Sequence, residues 1–595
     1  MTAPGEMATS QRTRMCGTLR LADTSSTVRL AGWVHRRRDL GGLVFIDLRD
    51  RSGLVQVSVD PRTADAETVQ AAARAGLESV IAVEGDVTAR PDKDRNADLS
   101  TGDIEVRART LRVIGPAATP AIPVARARGE ELPAEEQRLR YRYLDLRRSE
   151  LQHNLILRHR IALATRRYLS ERGFVEVETP ILTKPTPEGA RDYLVPSRVH
   201  AGEFYALPQS PQLYKQLLMM AGMDRYFQIA RCFRDEDLRA DRQPEFTQID
   251  IEASFVAVPD VLEVAEGLVE AIWREGGTEI ARPVPRMTYA DAMERYGTDR
   301  PDLRYALELQ DVSALFADTD ARFIRGALES GGRVRGIRVP GATELTNRAL
   351  EELESLAKSA GAAGLVRLRV EEGTFRGAMA KFLPADAVTR LNAQDGDVWL
   401  LVAGPDAVSS PALDRVRQDV ARRLSLVSSS ALAFVWITEF PLFLRDAATG
   451  QLTSVNHPFT APDPRDVDRL ESAPESVRAL AYDIVLNGTE LGGGSIRIAD
   501  AELQRRIFAL LGMDEAVSRA RFGFLLEALG SGAPPHGGIA FGLDRIAMLL
   551  SGAGSLRDVI AFPKTTAARA LFEGAPSPVP ADDLRELHLR VDGAS

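Results

Sequence analysis

The chain has 595 residues, of which 44% are hydrophobic and 27% are charged, and its formal net charge is −9. This length predicts several cores, about four at roughly 150 residues per domain, and the charge excludes a protein that binds nucleic acid through bulk positive charge. Only Cys16 and Cys232 occur, which excludes a disulfide framework or multi-cysteine zinc site and favours a reducing cytoplasm. No secretory signal and no run of about 18 apolar residues occurs, so no membrane is expected as a partner.

The N-terminal part predicts a tail followed by a β-barrel. Residues 1–16 are small and polar, which is typical of a disordered tail. Residues 17–116 give three strands, a helix and two strands, the order of an OB-fold. Such barrels stack bases on aromatic side chains and contact phosphates through arginines. Taken alone, Phe45 is more simply interpreted as barrel core, and the arginines of the HRRRD segment at 35–39 as a solvated turn.

The barrel segment resembles a known anticodon-binding domain. GWVHRRRDLGGLVFIDLRDRSGLVQV (32–57) is similar to that domain in bacterial aspartyl-tRNA synthetases. That family divides into enzymes that accept only tRNA-Asp and enzymes that also aspartylate tRNA-Asn, whose anticodon differs at the third base. Leu40 after RRRD and Lys93 in PDKD resemble the discriminating type, which implies a preference for tRNA-Asp. The anticodon contacts implied by the resemblance are Arg38, Phe45, Gln56 and Glu105.

A proline-containing linker leads to the first catalytic motif. Residues 117–150 are predicted to be linker and hinge, with a basic hinge at 139–150. A helix over 155–173, which ends at a glycine, and a strand over 174–182 follow. This pair resembles motif 1 of class II aminoacyl-tRNA synthetases, which forms a dimer interface and so implies a homodimer. The alternative is an ordinary helix and strand in the core.

Two segments resemble the amino-acid pocket of that family. The loop TKPTPEGARDYLVP (183–196) is by itself an exposed connection, but its counterpart in the family closes over the amino acid. In LPQSPQLYKQLLM (207–219), Ser210 is predicted as the N-cap and Pro211 as the first helical residue, so that a lysine on a rigid helix can bind a carboxylate. The aspartate-binding residues implied by the resemblance are Glu188, Ser210, Gln212, Lys215, Arg234, Gln248, Asp250, His457 and Arg497.

Residues 228–252 predict a long hairpin with a charged loop. Alone, it is most simply a solvated hairpin tip. Its FRDE sequence at 233–236 resembles motif 2 of the class II enzymes, in which the arginine binds the ATP α-phosphate and the glutamate binds the adenine. The ATP-binding residues implied by the resemblance are Arg234, Asp235, Glu236, Gln243, Glu490, Gly542, Leu543, Asp544 and Arg545.

The second half contains an insertion and the remaining motifs. Residues 287–424 mix helices and strands without a recognisable chemical motif, and their position resembles the insertion domain of bacterial aspartyl enzymes. The catalytic domain is therefore predicted over 151–286 and 425–562, with a C-terminal extension at 563–595. In the loop SVNHPFTAP, the family usually has two adjacent histidines, whereas this chain has Asn456 and then His457.

Acidic and basic residues near the C-terminus predict a nucleotide site. Asp483 and Glu490 lie on either side of a turn, a spacing that suits Mg²⁺ on ATP phosphates. Three glycines at 492–494 are expected to let a ligand lie on the strand, and Arg497 can bind a carboxylate bidentately. PPHGGIAFGLDRIAML (534–549) resembles motif 3, where a helix N-terminus and Arg545 bind the γ-phosphate end of ATP. Arg234 and Arg545 are the implied catalytic residues.

Together these patterns predict a multidomain α/β chain with an N-terminal OB-fold β-barrel, a class II antiparallel sheet flanked by helices, and an α+β insertion domain. The resemblance implies that aspartate attacks the α-phosphorus of ATP, with Mg²⁺, and that the aspartyl group passes to the 3′ end of tRNA-Asp. DNA is not an expected partner. Alternatives are an asparaginyl- or lysyl-specific relative, an ammonia-dependent asparagine synthetase and a non-catalytic RNA-binding regulator.

Overall fold

The computed structural model describes residues 8–126, 129–185, 189–236, 242–342, 344–428 and 431–592. The chain divides into two compact units. The first contains residues 1–160, 237–244 and 547–595, and the second contains residues 161–236 and 245–546. Within the described ranges, no helix is both long and apolar enough to cross a membrane.

The first unit contains the predicted barrel. Its elements are β1 (Thr27–Leu40), β2 (Leu43–Asp50), β3 (Gly53–Val59), α1 (Ala66–Arg74), β4 (Val80–Ala89) and β5 (Ile104–Gly115). The strands close in the order β1-β2-β3-β5-β4, and only the β3–β5 pairing is parallel. Alternate apolar residues such as Leu30, Ile46 and Val57 are fully buried inside, as the period of two in a strand requires. The predicted OB-fold is confirmed.

The residues before the barrel are attached to it. The Thr13 amide donates to the Arg29 carbonyl over 2.9 Å, and the Cys16 amide donates to Asp50 Oδ2 over 2.8 Å. Cys16 is fully buried. This part therefore differs from the expected disordered tail, because its backbone amides find partners on the barrel that composition does not reveal. Residues 1–7 of the expected tail lie outside the described chain.

The expected hinge is built around a buried carboxylate. It forms α2 (Glu135–Arg140), α3 (Arg142–Asp145) and the start of α4 (Ser149–Ser170). Asp145, which is 1% exposed, pairs with Arg142 and Arg148, each at 2.8 Å. Arg142 also donates to the carbonyl oxygens of Arg557, Ile560 and Ala561. The segment is thus fixed to the C-terminal part of its own unit.

The remaining strands follow in chain order. They are β6 (Val175–Glu176), β7 (Leu194–Pro196), β8 (Phe204–Ala206), β9 (Arg225–Phe233), β10 (Glu245–Ser254), β11 (Arg286–Thr288), β12 (Leu309–Asp311), β13 (Arg333–Val339), β14 (Val366–Glu371), β15 (Thr374–Arg376), β16 (Val398–Gly404), β17 (Phe434–Thr438), β18 (Phe443–Arg445), β19 (Leu452–Ser454), β20 (Ala481–Leu486), β21 (Thr489–Ile496) and β22 (His536–Gly542).

The remaining helices also follow in chain order. They are α5 (Gln212–Met220), α6 (Val258–Glu275), α7 (Tyr289–Tyr296), α8 (Arg322–Glu329), α9 (Asn347–Ser359), α10 (Ala387–Arg390), α11 (Asp406–Arg423), α12 (Ala501–Leu510), α13 (Glu515–Gly530), α14 (Leu543–Ser551) and α15 (Ala581–Glu586).

An eight-stranded sheet forms the centre of the second unit, as far as the chain is described. Its order is β11-β17-β20-β21-β22-β10-β9-β6, and only the pairings at its two edges are parallel. The core residues Ile249, Phe541 and Ile539 of the central strands are fully buried. Helix α6 packs its apolar residues against the sheet, where Trp436 Nε1 donates to Glu266 Oε1 over 3.0 Å. This is the predicted antiparallel sheet flanked by helices.

The insertion forms its own antiparallel sheet in the order β12-β13-β16-β14-β15. Apolar clusters cover both of its faces, one beneath α9 and α11 and the other beneath α8. Arg417 of α11 is fully buried and donates to the carbonyl oxygens of Leu307 and Asp302, which lie before the sheet. The expected α+β architecture of this segment is present.

Candidate active site and barrel face

A buried carboxylate, Glu252, joins two cations of the second unit. Arg497 Nε donates to its Oε1 over 2.8 Å and Arg497 Nη2 to its Oε2 over 3.0 Å. Lys215 Nζ lies 3.4 Å from Oε2, and all three side chains are nearly inaccessible to solvent. Burial alone would raise the pKa of Glu252, but Arg497 and Lys215 lower it below its usual value. Glu252 therefore holds both cations as an anion.

Two polar atoms of the side chains next to Lys215 lack hydrogen-bond partners among the described residues. Lys215 Nζ donates to Asp250 Oδ1 over 3.1 Å, but Asp250 Oδ2 and Gln212 Nε2 are buried without a hydrogen-bond partner among the described residues. Burial raises the pKa of Asp250 more than Lys215 lowers it. One free acceptor and one free donor next to a cation suit a zwitterionic ligand, because unpaired buried polar groups are costly.

Helix α5 positions Lys215. The helix begins at Gln212, one residue later than predicted, and Pro211 stands at the N-cap position. Ser210 Oγ still accepts from the Gln212 amide over 3.3 Å, so the expected capping interaction is present with shifted register. The Lys215 amide donates the first helical hydrogen bond to the Pro211 carbonyl over 2.9 Å, and the missing Pro211 amide costs nothing there, because the first amides of a helix have no helical acceptor.

Arg497 has a second set of partners. Its Nη1 donates to Ser495 Oγ over 2.7 Å and to His457 Nε2 over 2.6 Å. Burial, then Arg497 and Lys215, lower the pKa of His457 well below its usual value, so its ring is neutral and can accept this bond. Asn456, where the family usually has histidine, has a buried Oδ1 without a partner among the described residues.

The predicted hairpin carries the motif 2 residues. Strands β9 and β10 pair Phe233 with Glu245, and the loop residues 237–241 lie outside the described chain. Arg234 stacks on Phe246 with 5.1 Å between the guanidinium carbon and the ring centroid, and its buried Nε has no partner in the described ranges. The Asp235 amide donates to the Arg191 carbonyl, while Glu236 is half-buried.

Two predicted glutamines are already engaged within the chain. Gln248 Oε1 accepts from the thiol of Cys232 over 3.3 Å. Gln243, in the first unit, donates to the Lys564 carbonyl over 3.0 Å and accepts from the Lys564 amide over 2.9 Å. The resemblance did not reveal these partners, because all three hydrogen bonds depend on which strand or segment lies alongside. Glu188 lies outside the described residues.

Asp483 and Glu490 lie on the neighbouring strands of the β20–β21 hairpin. Burial, Glu490 and Asp299 raise the pKa of Asp483 well above its usual value. Two adjacent carboxylates that repel one another fit Mg²⁺, which takes one or two protein oxygens and keeps waters or phosphate oxygens as its other ligands. Within the described chain, no cluster of three or more metal-binding side chains occurs.

The space left by the missing side chains of the β21 glycines is occupied by neighbouring protein atoms. A Cβ at Gly493 would collide with Asp483 Oδ1, and one at Gly492 or Gly494 would collide with the backbone of β22. A Cβ at Gly538 of β22 would likewise collide with Glu252 Oε2. The predicted purpose of the β21 glycines was to let a ligand lie on the strand. Their nearest neighbours are instead side chains and backbone of adjacent strands.

The motif 3 residues follow β22 directly. Gly542 ends the strand, and Leu543 and Asp544 begin α14. Asp544 Oδ2 accepts from the Thr247 amide over 2.8 Å, which ties the helix start to β10. Arg545 Nη1 donates to the Glu490 carbonyl over 2.6 Å and so lies beside the acidic hairpin. A helix N-terminus with this arginine can bind an anion.

In the first unit, the predicted anticodon residues share one outward face of the barrel. Arg38 Nη2 lies 3.2 Å from both Asp47 Oδ1 and Gln56 Oε1, and Gln56 Nε2 donates to Glu105 Oε2 over 3.2 Å. Phe45 is paired with Arg38 and points outward, half-buried, so it is not barrel core. We call this the barrel face: Arg38, Phe45, Asp47, Gln56 and Glu105. Leu40 is 67% exposed and Lys93 is also exposed.

Comparisons with known proteins identify the family. The model of tRNA synthetases class II (D, K and N) matches residues 134–566, and that of the OB-fold nucleic acid binding domain matches residues 28–114. The chain therefore belongs to the class II tRNA synthetases of the D, K and N group.

Curated relatives match almost the whole chain. Aspartate--tRNA(Asp/Asn) ligase of Caldanaerobacter subterraneus subsp. tengcongensis is 49% identical over 98% of both chains. The protein of the same name from Rubrobacter xylanophilus is 50% identical over 99% of this chain and 98% of its own. Aspartate--tRNA ligase of Bacillus licheniformis is 48% identical over 98% of both chains.

Solved structures share the fold. Asparaginyl-tRNA synthetase from Pyrococcus horikoshii, complexed with asparaginyl-adenylate, has a TM-score of 0.58 at 20% identity and covers 93% of this chain and 98% of its own. Aspartyl tRNA synthetase from Entamoeba histolytica has a TM-score of 0.56 at 21% identity and covers 91% and 89% respectively.

Proposed function

We propose that this protein is an aspartate–tRNA ligase that activates L-aspartate with ATP and transfers it to tRNA-Asp. The observation that carries the proposal is the pair Lys215 and Arg497, held by Glu252 beside the unpaired Asp250 Oδ2. Two fixed cations suit a side-chain carboxylate, and a free carboxylate oxygen suits an α-ammonium group. The relatives named aspartate–tRNA ligases support this assignment.

The alternatives fit this pocket less well. A lysine-specific pocket needs acids free to bind an ammonium side chain, whereas Glu252 is already paired with two cations. An asparagine side chain carries no charge, so it would add no ion pair to the two cations that share Glu252, whereas an aspartate side chain would bring a second carboxylate to them. An ammonia-dependent asparagine synthetase has no use for the nucleic-acid-binding barrel at 28–114, and a non-catalytic regulator has no use for the ATP residues.

In the first step, the aspartate α-carboxylate attacks the α-phosphorus of ATP, forming a P–O bond as the bond to pyrophosphate breaks. The nucleophile is already an anion at neutral pH, so no general base is needed. Arg234, fixed by stacking on Phe246, can donate its free Nε to an α-phosphate oxygen, and Arg545 can bind the γ-phosphate. Positioning and charge neutralisation supply the catalysis.

In the second step, the terminal adenosine hydroxyl of tRNA attacks the acyl carbon and AMP leaves. Asp483 and Glu490 would hold Mg²⁺, which would neutralise phosphate charge when bound.

Both cysteines are free and buried, which supports the expected cytoplasmic location.

Arg234→Ala should lower aspartate-dependent ATP–pyrophosphate exchange by about a hundredfold or more, because a donor to the α-phosphate is lost. Its tRNA affinity should stay close to that of the unsubstituted protein, since the barrel face is separate in sequence. The exchange assay, run with each of the twenty amino acids, shows which amino acid the protein activates. Exchange driven by an amino acid other than aspartate would contradict the assigned substrate. An Arg234→Ala variant with more than about a tenth of the activity of the unsubstituted protein would contradict the role assigned to Arg234.

Lys215→Met and Arg497→Leu should each raise the KM for aspartate at least about tenfold while changing the KM for ATP little, because both cations are assigned to the side-chain carboxylate. Arg274→Leu is a matched control, since that arginine is exposed and its one ion pair among the contacts described is with Glu270 of the same helix. Equal increases in the KM for aspartate and the KM for ATP would mean that Lys215 and Arg497 do not bind the side-chain carboxylate of aspartate.

We also propose a homodimer formed through motif 1. Strand β6 is an edge of the eight-stranded sheet, and edges are normally paired or covered. Four apolar side chains of motif 1 and of the segment that follows it are unusually exposed for a single chain, and they are Leu163 (47%), Val175 (46%), Leu194 (57%) and Phe204 (39%). Sedimentation equilibrium should give twice the chain mass of 65.0 kDa, and Leu163→Arg should shift it toward one chain. A single-chain mass for the unsubstituted protein at micromolar concentration would exclude this dimer.

We further propose that the protein prefers tRNA-Asp over tRNA-Asn, although several relatives are named for both tRNAs. The exposed Leu40 side chain offers no hydrogen bond to a base, and each such contact is worth about 1–3 kcal/mol. Aspartylation of tRNA-Asp should exceed that of tRNA-Asn by more than about threefold in kcat/KM, and Leu40→His with Lys93→Gly should narrow the difference. Equal efficiencies for the two tRNAs would refute the preference.

A further inference from the structure

An arginine next to the barrel face has donors without partners. Arg90 is the residue directly after β4 and is only 6% exposed. Its Nε and Nη2 atoms are buried and find no hydrogen-bond acceptor among the described residues. Buried guanidinium donors are normally satisfied, so an unpaired one needs a reason.

The strand pattern places Arg90 with the barrel face. Along β4, Val83 and Val87 point into the core, so Thr88 points outward, and Arg90 follows the last strand residue with the parity of Thr88 but is itself buried. Thr88 pairs with Glu105 across β4 and β5, and the Arg90 amide donates to the Asp103 carbonyl. Burial lowers the pKa of Arg90, although Glu105 and Asp47 act to raise it. The cation is therefore desolvated beside two face carboxylates without a direct bond to either.

The two unpaired atoms define the ligand chemistry. The Nε–H and Nη2–H bonds of a guanidinium are parallel and form its bidentate edge. This edge fits two adjacent acceptors, which nucleic acid offers on a base edge or on a phosphate. By contrast, Arg38, Gln56 and Glu105 are already hydrogen-bonded to one another or to Asp47. Arg90 therefore offers a ligand an unpaired bidentate edge, whereas Arg38 is already hydrogen-bonded within the barrel face.

We propose that Arg90 is a tRNA-binding residue, which donates Nε–H and Nη2–H to two adjacent acceptors of one anticodon-loop nucleotide. The proposal rests on the proposed tRNA ligase function and adds a fifth recognition residue to the four predicted from resemblance. An acceptor pair on the nucleotide would satisfy the donors that the free protein leaves unpaired.

The test measures the Kd of the full-length protein for a tRNA-Asp transcript, independently of catalysis. Arg90→Lys keeps the positive charge but removes the bidentate guanidinium edge, and Arg90→Gln removes both the charge and the edge. Both should weaken binding at least about fivefold, while aspartate-dependent exchange stays within about twofold of the unsubstituted protein. Arg109→Gln is the matched control, since that arginine of β5 is exposed and paired with Asp86 at 2.8 Å.

Two further arms separate the sources of the acceptors. If Arg90 binds a base, the weakening caused by Arg90→Lys should vanish for a transcript substituted at that one anticodon position. Three transcripts are needed for this comparison, each substituted at one of the three anticodon positions. If Arg90 binds a phosphate, Arg90→Lys should weaken the binding of all three transcripts equally, and Arg90→Gln should lower the slope of log Kd against log salt by about 1. Either result supports the proposal and names the acceptor.

Unchanged tRNA affinity in both Arg90 variants, with normal exchange activity, would overturn the proposal while leaving the ligase assignment intact. Loss of exchange together with binding would show that Arg90 only maintains the fold, which also overturns it. If the unsubstituted protein exchanges no pyrophosphate with aspartate yet its tRNA affinity depends on Arg90, the ligase assignment alone fails.

Discussion

The active site depends on one buried carboxylate that is shared by two cations. Glu252 lies on β10, Lys215 on α5 and Arg497 just beyond β21, so that a single ion-paired group connects three elements. Removing a carboxylate and two cations from water costs several kcal/mol per ion, which is repaid only when geometry and additional hydrogen bonds are good. Arg497 meets this condition through its bidentate contact and its bonds to Ser495 and His457. The cations are thereby fixed before any substrate arrives.

The same carboxylate constrains the neighbouring strand. Glu252 pairs with Gly538 across β10 and β22, and a Cβ at that position would meet its Oε2. Gly493 gives the Asp483 carboxylate room in the same way. Gly538 of the motif 3 strand and Gly493 of β21 therefore serve charge placement, because a side chain at either position would displace a carboxylate from the place where it binds the cations or an ion.

The two units handle polar groups in contrasting ways. In the active site the charged atoms are mostly paired internally, and three of the unpaired atoms, Asp250 Oδ2, Gln212 Nε2 and Arg234 Nε, belong to residues that resemblance assigns to substrates, whereas Asn456 Oδ1 does not. On the barrel face, the four predicted residues are solvent-facing or bonded together, and the unpaired donor is Arg90, which resemblance did not indicate. Unsatisfied buried polar atoms thus mark functional candidates that motif matching alone misses.

The sequence by itself determined the barrel, the β9–β10 and β20–β21 hairpins and the motif residues, because strand alternation, turn chemistry and short signatures are local. It also contains a signal for Glu252, because Gln248, Asp250 and Glu252 alternate along β10 and so share one face. Only the tertiary structure decided that Glu252 pairs with Arg497, 245 positions away, and that Gln243 is bound by Lys564. No local pattern records such partners, since long-range pairing depends on which strands become neighbours in the sheet. For the same reason, only the folded barrel showed that Phe45 faces outward and that Arg90 is buried with unpaired donors.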